Sequence, residues 1–224
     1  MKTSVSLIGG LAGAMLALPA FAAELPRSAV LQFASNYQVP AVMVFKREGT
    51  RYTIVSDIDL LFYRIRFESG GTVDGKWLKP AYYREIRNST LYSAAEFNGH
   101  TVTYGKTGDK KTATPDGVTM DLFTLAWQLA ASNAALPTPI YATNGKKIYP
   151  LSRLTPQGSS RYAFGTSAVN ADRYTLKQGK GKVSYTLLPS FGNIPAQISY
   201  DTEDGAAYRL SLTGLTIDGK SIMP

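Results

Sequence analysis

The chain has 224 residues, with 24 Lys plus Arg against 16 Asp plus Glu, one His and no Cys. Without cysteine there is no disulfide, no thiolate nucleophile and no thiolate metal ligand, and a lone histidine leaves an ordinary zinc site nothing to assemble from. Stability must come from a core, and about 200 residues bury roughly 70% of their extended surface, which suits one domain.

Residues 1–22, MKTSVSLIGGLAGAMLALPAFA, carry a single lysine, an apolar run from Val5 to Leu18, then Pro19 and small residues at Ala20 and Ala22. This three-part pattern predicts a secretory signal peptide cleaved after Ala22. The run is shorter than the roughly 20 apolar residues a spanning helix needs, and no cysteine follows it to carry a lipid. The expectation is a single exported, β-rich domain over 23–224 in the periplasm of a Gram-negative bacterium.

Removing Lys2 leaves 23 Lys plus Arg against 16 Asp plus Glu, a net charge of +7. After export, nucleic acid is not the expected partner. Anionic lipid headgroups and acidic envelope polymers take its place. The lysines expected on that basic surface are Lys79, Lys146, Lys147, Lys180 and Lys182. Such stretches also read simply as solvated turns.

From Ala29 to Gly105 hydrophobicity alternates with period two, the mark of half-buried strands. In RYTIVSDI, Tyr52, Ile54 and Ile58 share a face. In LLFYRIRFE, Leu61, Tyr63, Ile65 and Phe67 share one, while Arg64, Arg66 and Glu68 take the other. Pro80 starts an extended strand, AYYREIRNS, with Tyr82, Arg84 and Ile86 on one face and Tyr83, Glu85 and Arg87 on the other. HTVTYG pairs Val102 with Tyr104. The dipeptides Asp74-Gly75, Asn98-Gly99, Asn144-Gly145, Asp204-Gly205 and Asp218-Gly219 suit tight turns and predict an antiparallel meander.

Thr119 to Asn133 breaks this rhythm. Leu122, Leu125, Ala126, Leu129 and Ala130 recur at helical spacing, with Phe123 and Trp127 four apart. Thr119 is the expected N-cap and Asp121 the first-turn acid. Pro137 and Pro139 end the helix. So narrow a polar arc requires cover on most sides. After a turn-rich stretch, KVSYTLL, AQISY and AYRLSLTGLTI resume the alternation, placing Val183, Tyr185 and Leu187, then Ala196, Ile198 and Tyr200, then Tyr208, Leu210 and Leu212 on single faces. The fold expected is mainly β: a strongly curved antiparallel sheet, or an open barrel, wrapped against one central helix.

Catalytic signatures are absent. His100 follows Asn98-Gly99 and reads as a solvated turn residue; there is no G-x-S-x-G elbow or S-x-x-K pair. The acids of SDID (56–59) and DTEDG (201–205) read as turn chemistry, not a calcium loop. Glu68, Glu85 and Glu96 lie on expected strands, which leaves a carbohydrate-active enzyme as a distant alternative. No cofactor and no metal is expected.

The arrangement of GGTVDGKWLKPAYYRE, EFNGHTVTYG, DLFTLAWQLA and PSFGNIPAQISY resembles an exported bacterial family, domain of unknown function 3108. The match rests on Gly75, Pro80 and Tyr83, on Asp121, Thr124 and Leu129 of the helix, and on Pro195. It departs at Gln38-Val39-Pro40-Ala41, where a glycine-containing turn is expected, so the register of the first two strands is left open. The resemblance implies a periplasmic β-rich domain around a helix and assigns no catalytic residue.

Two functions follow. A sheet around a helix can leave an apolar groove, and Tyr63, Phe67, Trp77, Tyr82, Phe97, Phe123 and Trp127 could line it for a hydrophobic or amphipathic envelope component. They could equally fill it as core. The alternative is an envelope interaction protein acting through a sheet edge, the strand at Tyr82 and Tyr83, or the basic surface. The chain is expected to be a monomer or weak oligomer.

Overall fold

The computed structural model describes residues 25–60, 62–201 and 207–222. The expected signal peptide, Leu61 and the Asp204-Gly205 turn lie outside them.

Alternation produces strands almost without interruption through the first half: β1 Ser28–Ser35, β2 Pro40–Glu48, β3 Arg51–Leu60, β4 Tyr63–Asp74, β5 Trp77–Arg87, β6 Thr90–Asn98, β7 Thr101–Lys106 and β8 Asp109–Ala113. LLFYRIRFE is thus not one strand; the chain reverses between β3 and β4, leaving Phe62 95% exposed. Asp74-Gly75 and Asn98-Gly99 close the β4–β5 and β6–β7 hairpins as expected, with positive φ at both glycines. A short strand, β9 Val118–Asp121, leads into helix α1, Leu122–Ala131.

Beyond α1 come β10 Ile140–Thr143, β11 Ile148–Pro150, β12 Thr155–Phe164, β13 Ser167–Gln178, β14 Gly181–Leu188, β15 Ile194–Asp201, β16 Ala207–Ile217 and β17 Lys220–Ile222. β1 pairs antiparallel with both β2 and β16, which joins the N-terminal and C-terminal meanders into one 14-stranded sheet. The β1–β2 register left open in the sequence is regular, from Ser28 opposite Lys46 to Ala34 opposite Pro40. β9, β10 and β11 form a separate sheet in which β9 and β10 are parallel, with α1 in their crossover.

The architecture corrects the expected one. The large sheet runs in order from β12 to β8, and its two ends do not pair; it is neither a barrel nor barrel-like, and neither sheet is strongly curled. The requirement behind the expectation, cover on every side of the helix, is met differently. α1 packs on β4 and β5 from one half of the open sheet, on β15 from the other, and on β9 and β10 of the small sheet. Closure is also unsupported at the edges. β8, DKKTA, is nearly all exposed, and β12 carries Pro156, Gly158 and a register shift.

Two cores meet on the helix. Trp127, Ala130 and Ala131 join Leu31, Phe45, Tyr52, Ile54 and Leu78, while Leu125, Ala126 and Leu129 pack with Leu176, Val183, Tyr185 and Leu187. Trp127 is fully buried and its ring stacks on Phe45 with centroids 4.1 Å apart.

The polar arc of α1 is buried too, which amphipathic reasoning does not anticipate. Asp121, not Thr119, is the N-cap: Oδ1 accepts from the amides of Phe123 and Thr124 and from Ser69 Oγ, and Oδ2 from Thr124 Oγ1. Gln128 Oε1 accepts from the Leu78 amide at 2.8 Å, and its Nε2 donates to the Lys76 carbonyl at 2.9 Å. These bonds replace water for each group and lock the helix onto the β4–β5 hairpin.

Candidate functional site

Beside the first turn of α1 the packing opens into a cavity of about 750 Å³. Its near wall comes from the alternating inward positions of the N-terminal meander: Met43 on β2, Ser56 and Ile58 on β3, Ile65 and Phe67 on β4, and Tyr83, Glu85 and Arg87 on β5. The far wall is the corresponding face of the C-terminal meander: Val183 and Tyr185 on β14, Ile198 and Tyr200 on β15, Tyr208 and Leu210 on β16. Leu122 and Phe123 form the helix end of the space, and Phe123 lies 5.0 Å from Phe67 and 6.4 Å from Tyr83, ring centre to ring centre.

A bulge aims Tyr83 and Glu85 into this space. Gly70 faces Tyr82 and Gly71 faces Pro80, so Ala81 is an extra residue on β5. It allows Leu78 and Tyr83, an odd number of positions apart, both to be buried on the helix side. Burial drives the Tyr83 hydroxyl far above its ordinary pKa, with the Glu85 and Asp121 charges adding to it, and burial does the same to Tyr185. Both are neutral phenols.

Glu85 is 2% exposed and fully engaged. Oε1 accepts from Arg87 through Nε at 2.7 Å and through Nη2; Oε2 accepts from Ser93 Oγ and from Lys146 Nζ, each at 2.9 Å. Burial pushes its pKa up, but the bonds from Lys146, Arg87 and Ser93 outweigh it and hold the carboxyl below the ordinary glutamate value. Lys146 arrives from the Asn144-Gly145 turn between β10 and β11. Asn144 Oδ1 accepts from the amides of Lys146 and Lys147, and the Gly145 carbonyl accepts from Gly105 N. A Cβ on Gly145 would sit 2.7 Å from the Tyr83 ring and 2.9 Å from Ser93 Oγ, at a φ of +77°, so only glycine brings this turn so close.

Of the aromatic candidates, Phe67 and Phe123 line the cavity, while Tyr63, opposite Leu60 at the start of β4, is not part of the lining. Trp127 is core. Trp77 sits at the β4–β5 hairpin under Lys76, Phe97 packs outside the lining with Tyr83, Ala95 and Val102, and Tyr82 lies on the other face of β5 beside Arg84. The choice between filled core and open groove therefore has a divided answer: filled at Trp127, open at Phe123.

Of the basic candidates only Lys146 reaches the cavity. Lys79 pairs with Asp74 and Lys182 with Asp201, while Lys147 and Lys180 are exposed. Tyr82 and Tyr83 are not at a sheet edge, since β5 lies between β4 and β6. SDID is strand rather than turn, with Asp57 and Asp59 bound to Arg66 and Arg64. Of the strand carboxylates, Glu68 pairs with Arg66 and Glu96 with Lys110, and only Glu85 lines the cavity. Glu85 and Arg87 were legible as one face of β5, and the far-wall residues as the faces of β14 to β16, but nothing in the sequence joined those faces.

No family, curated protein or solved structure matches the chain. The likeness to domain of unknown function 3108 rests on the residues quoted for it.

Proposed function

We propose that the chain is a non-enzymatic binding or carrier domain for a hydrophobic or amphipathic molecule of the cell envelope. One observation carries this reading: a largely apolar cavity of about 750 Å³, walled by both halves of the sheet and the first turn of the helix. Its size falls in the roughly 300–1,000 Å³ range of small-molecule sites. The geometry of Glu85 favours binding over hydrolysis, because both its oxygens are engaged by Arg87, Ser93 and Lys146 and no second carboxylate lines the cavity among the described residues to complete a catalytic pair. The alternative, peptide docking at a sheet edge, draws less support: β8 carries Lys110 and Lys111 and β12 carries Pro156, devices that discourage edge pairing.

The test uses a neutral apolar fluorophore, such as N-phenyl-1-naphthylamine, titrated against delipidated protein. Saturable one-to-one binding is expected. Ile65→Trp, which places an indole in the cavity, is expected to weaken it at least about tenfold. Tyr82→Ala, on the opposite face of β5, is expected to leave it intact. Absence of saturable binding, or greater sensitivity to Tyr82→Ala than to Ile65→Trp, overturns the reading.

A further inference from the structure

We infer that the cavity's occupant is a long-chain carboxylate, its chain in the apolar space and its single negative charge beside Lys146 and Arg87. The inference rests on the binding reading above and adds the chemistry of the head.

The argument is charge balance at one rim of a largely apolar space. Arg87 and Lys146 both line the cavity and both bind Glu85, the one carboxylate lining it among the described residues. Two cations against one anion leave a charge of +1. Glu85 has no capacity left, since Arg87 saturates one oxygen and Ser93 and Lys146 the other. A cationic head at this rim would thus meet two like charges and no unengaged carboxylate.

Lys146 spends one hydrogen bond on Glu85 and keeps donors to spare, and its side chain is 29% exposed, that of Arg87 32%. Both also lie on the ring of Tyr92, the guanidinium 3.6 Å and the ammonium 5.5 Å from its centre, with Lys106 on the same ring at 5.3 Å. The cations are therefore held in place by Glu85 and Tyr92 before any ligand arrives, which cuts the ordering cost of binding. Lys106 is exposed and outside the lining, so the groups that face the ligand are Glu85, Arg87 and Lys146; a monoanion neutralises these three, and a doubly charged phosphate monoester would overshoot. The rest of the lining is mostly apolar and carries no further charge among the described residues, with Ser56, Asn144 and Gln178 as isolated uncharged polar groups, so the charge belongs at the end of a hydrocarbon chain.

The experiment compares ligands that share one C18 chain: oleate, oleyl alcohol, oleylamine and oleyl phosphate, each titrated calorimetrically below its micellar concentration into delipidated protein at pH 8. Oleate is expected to bind about tenfold or more tighter than oleyl alcohol, the scale of one charge-assisted hydrogen bond, with oleylamine weakest and the phosphate no better than oleate. Lys146→Met is expected to lower oleate affinity about tenfold and erase its preference over the alcohol. Glu85 keeps Arg87 and Ser93 in that variant, and its melting temperature checks the fold; should it fail to fold, the wild-type series decides alone. Equal binding of oleate and alcohol overturns this inference while the apolar cavity reading survives. Preference for the amine or for the phosphate overturns it as well. Failure of all four ligands removes the cavity reading itself.

Discussion

Two buried carboxyl groups give the stability of this protein opposite dependences on pH. Glu85 is held below the ordinary glutamate value of 4.5, so the unfolded chain takes up its proton first as pH falls. The stability Glu85 contributes is present above that value and is lost as pH drops through it and on through the folded value. Glu85→Gln is therefore expected to flatten the acid limb of urea-melt stability against pH; an unchanged limb would show that Arg87 and Lys146 do not stabilise the ionised form. Asp121 has the reverse sign. Burial raises its pKa against the pull of Ser69, Thr124 and the backbone amides, so the folded chain holds the proton more tightly and its contribution declines as pH rises above the ordinary aspartate value. Asp121→Asn keeps a capping oxygen and should remove that decline, whereas Asp121→Ala strips the cap and leaves Ser69 and Thr124 short of an acceptor, at a cost of about 2–4 kcal/mol. Trp127→Ala should cost about 3–5 kcal/mol by chemical denaturation. Since its indole N–H has no hydrogen-bond partner among the described residues, Trp127→Phe should cost clearly less.

At the scale of elements, α1 is held by polar as well as apolar contacts. Gln128 caps both backbone groups of the β4–β5 hairpin that face it, so Gln128→Leu, though closer to the helix's apolar composition, should destabilise by about 2–4 kcal/mol by orphaning the Leu78 amide and the Lys76 carbonyl. A neutral or stabilising outcome in urea melts would mean that water replaces those bonds. The Asn144-Gly145 turn plays the matching part for the cavity. Gly145 N donates to Thr143 Oγ1, which itself donates to the Lys147 carbonyl, and the resulting tight loop sets Lys146 on Glu85. Gly145→Ala would force the turn off β5 and β6, with loss of the Lys146 contact as the local consequence.

Across the whole molecule, β1 is the seam. It pairs with β2 on one side and β16 on the other, so the walls of the cavity come from two meanders far apart in the chain, residues 43–87 and 183–210, yet belong to one sheet. That sheet stays open, and its edge strands carry features that disfavour pairing with other chains, charge on β8 and proline and glycine on β12. Replacing Lys110 and Lys111 with valine is expected to increase concentration-dependent association over the wild type, read by light scattering across a dilution series. If wild-type and variant associate alike, β8 is not the edge that matters.

Much of this was written locally. The inward faces of β5, β14, β15 and β16, four of the tight turns and a helix within Thr119–Asn133, though not its cap, follow from periodicity and turn chemistry, because period two and period 3.6 are properties of a few neighbouring residues. β10 and β11, four and three residues long, and β12, exposed along most of its length, left no period to read. Tertiary structure alone decided that the sheet stays open, that the polar arc of α1 is buried on a hairpin, that Trp127 is core while Phe123 borders a cavity, and that Lys146 meets Glu85 across 61 positions of sequence. Those outcomes depend on which faces of distant segments meet, and alternation tells only which residues share a face, never what that face will be packed against.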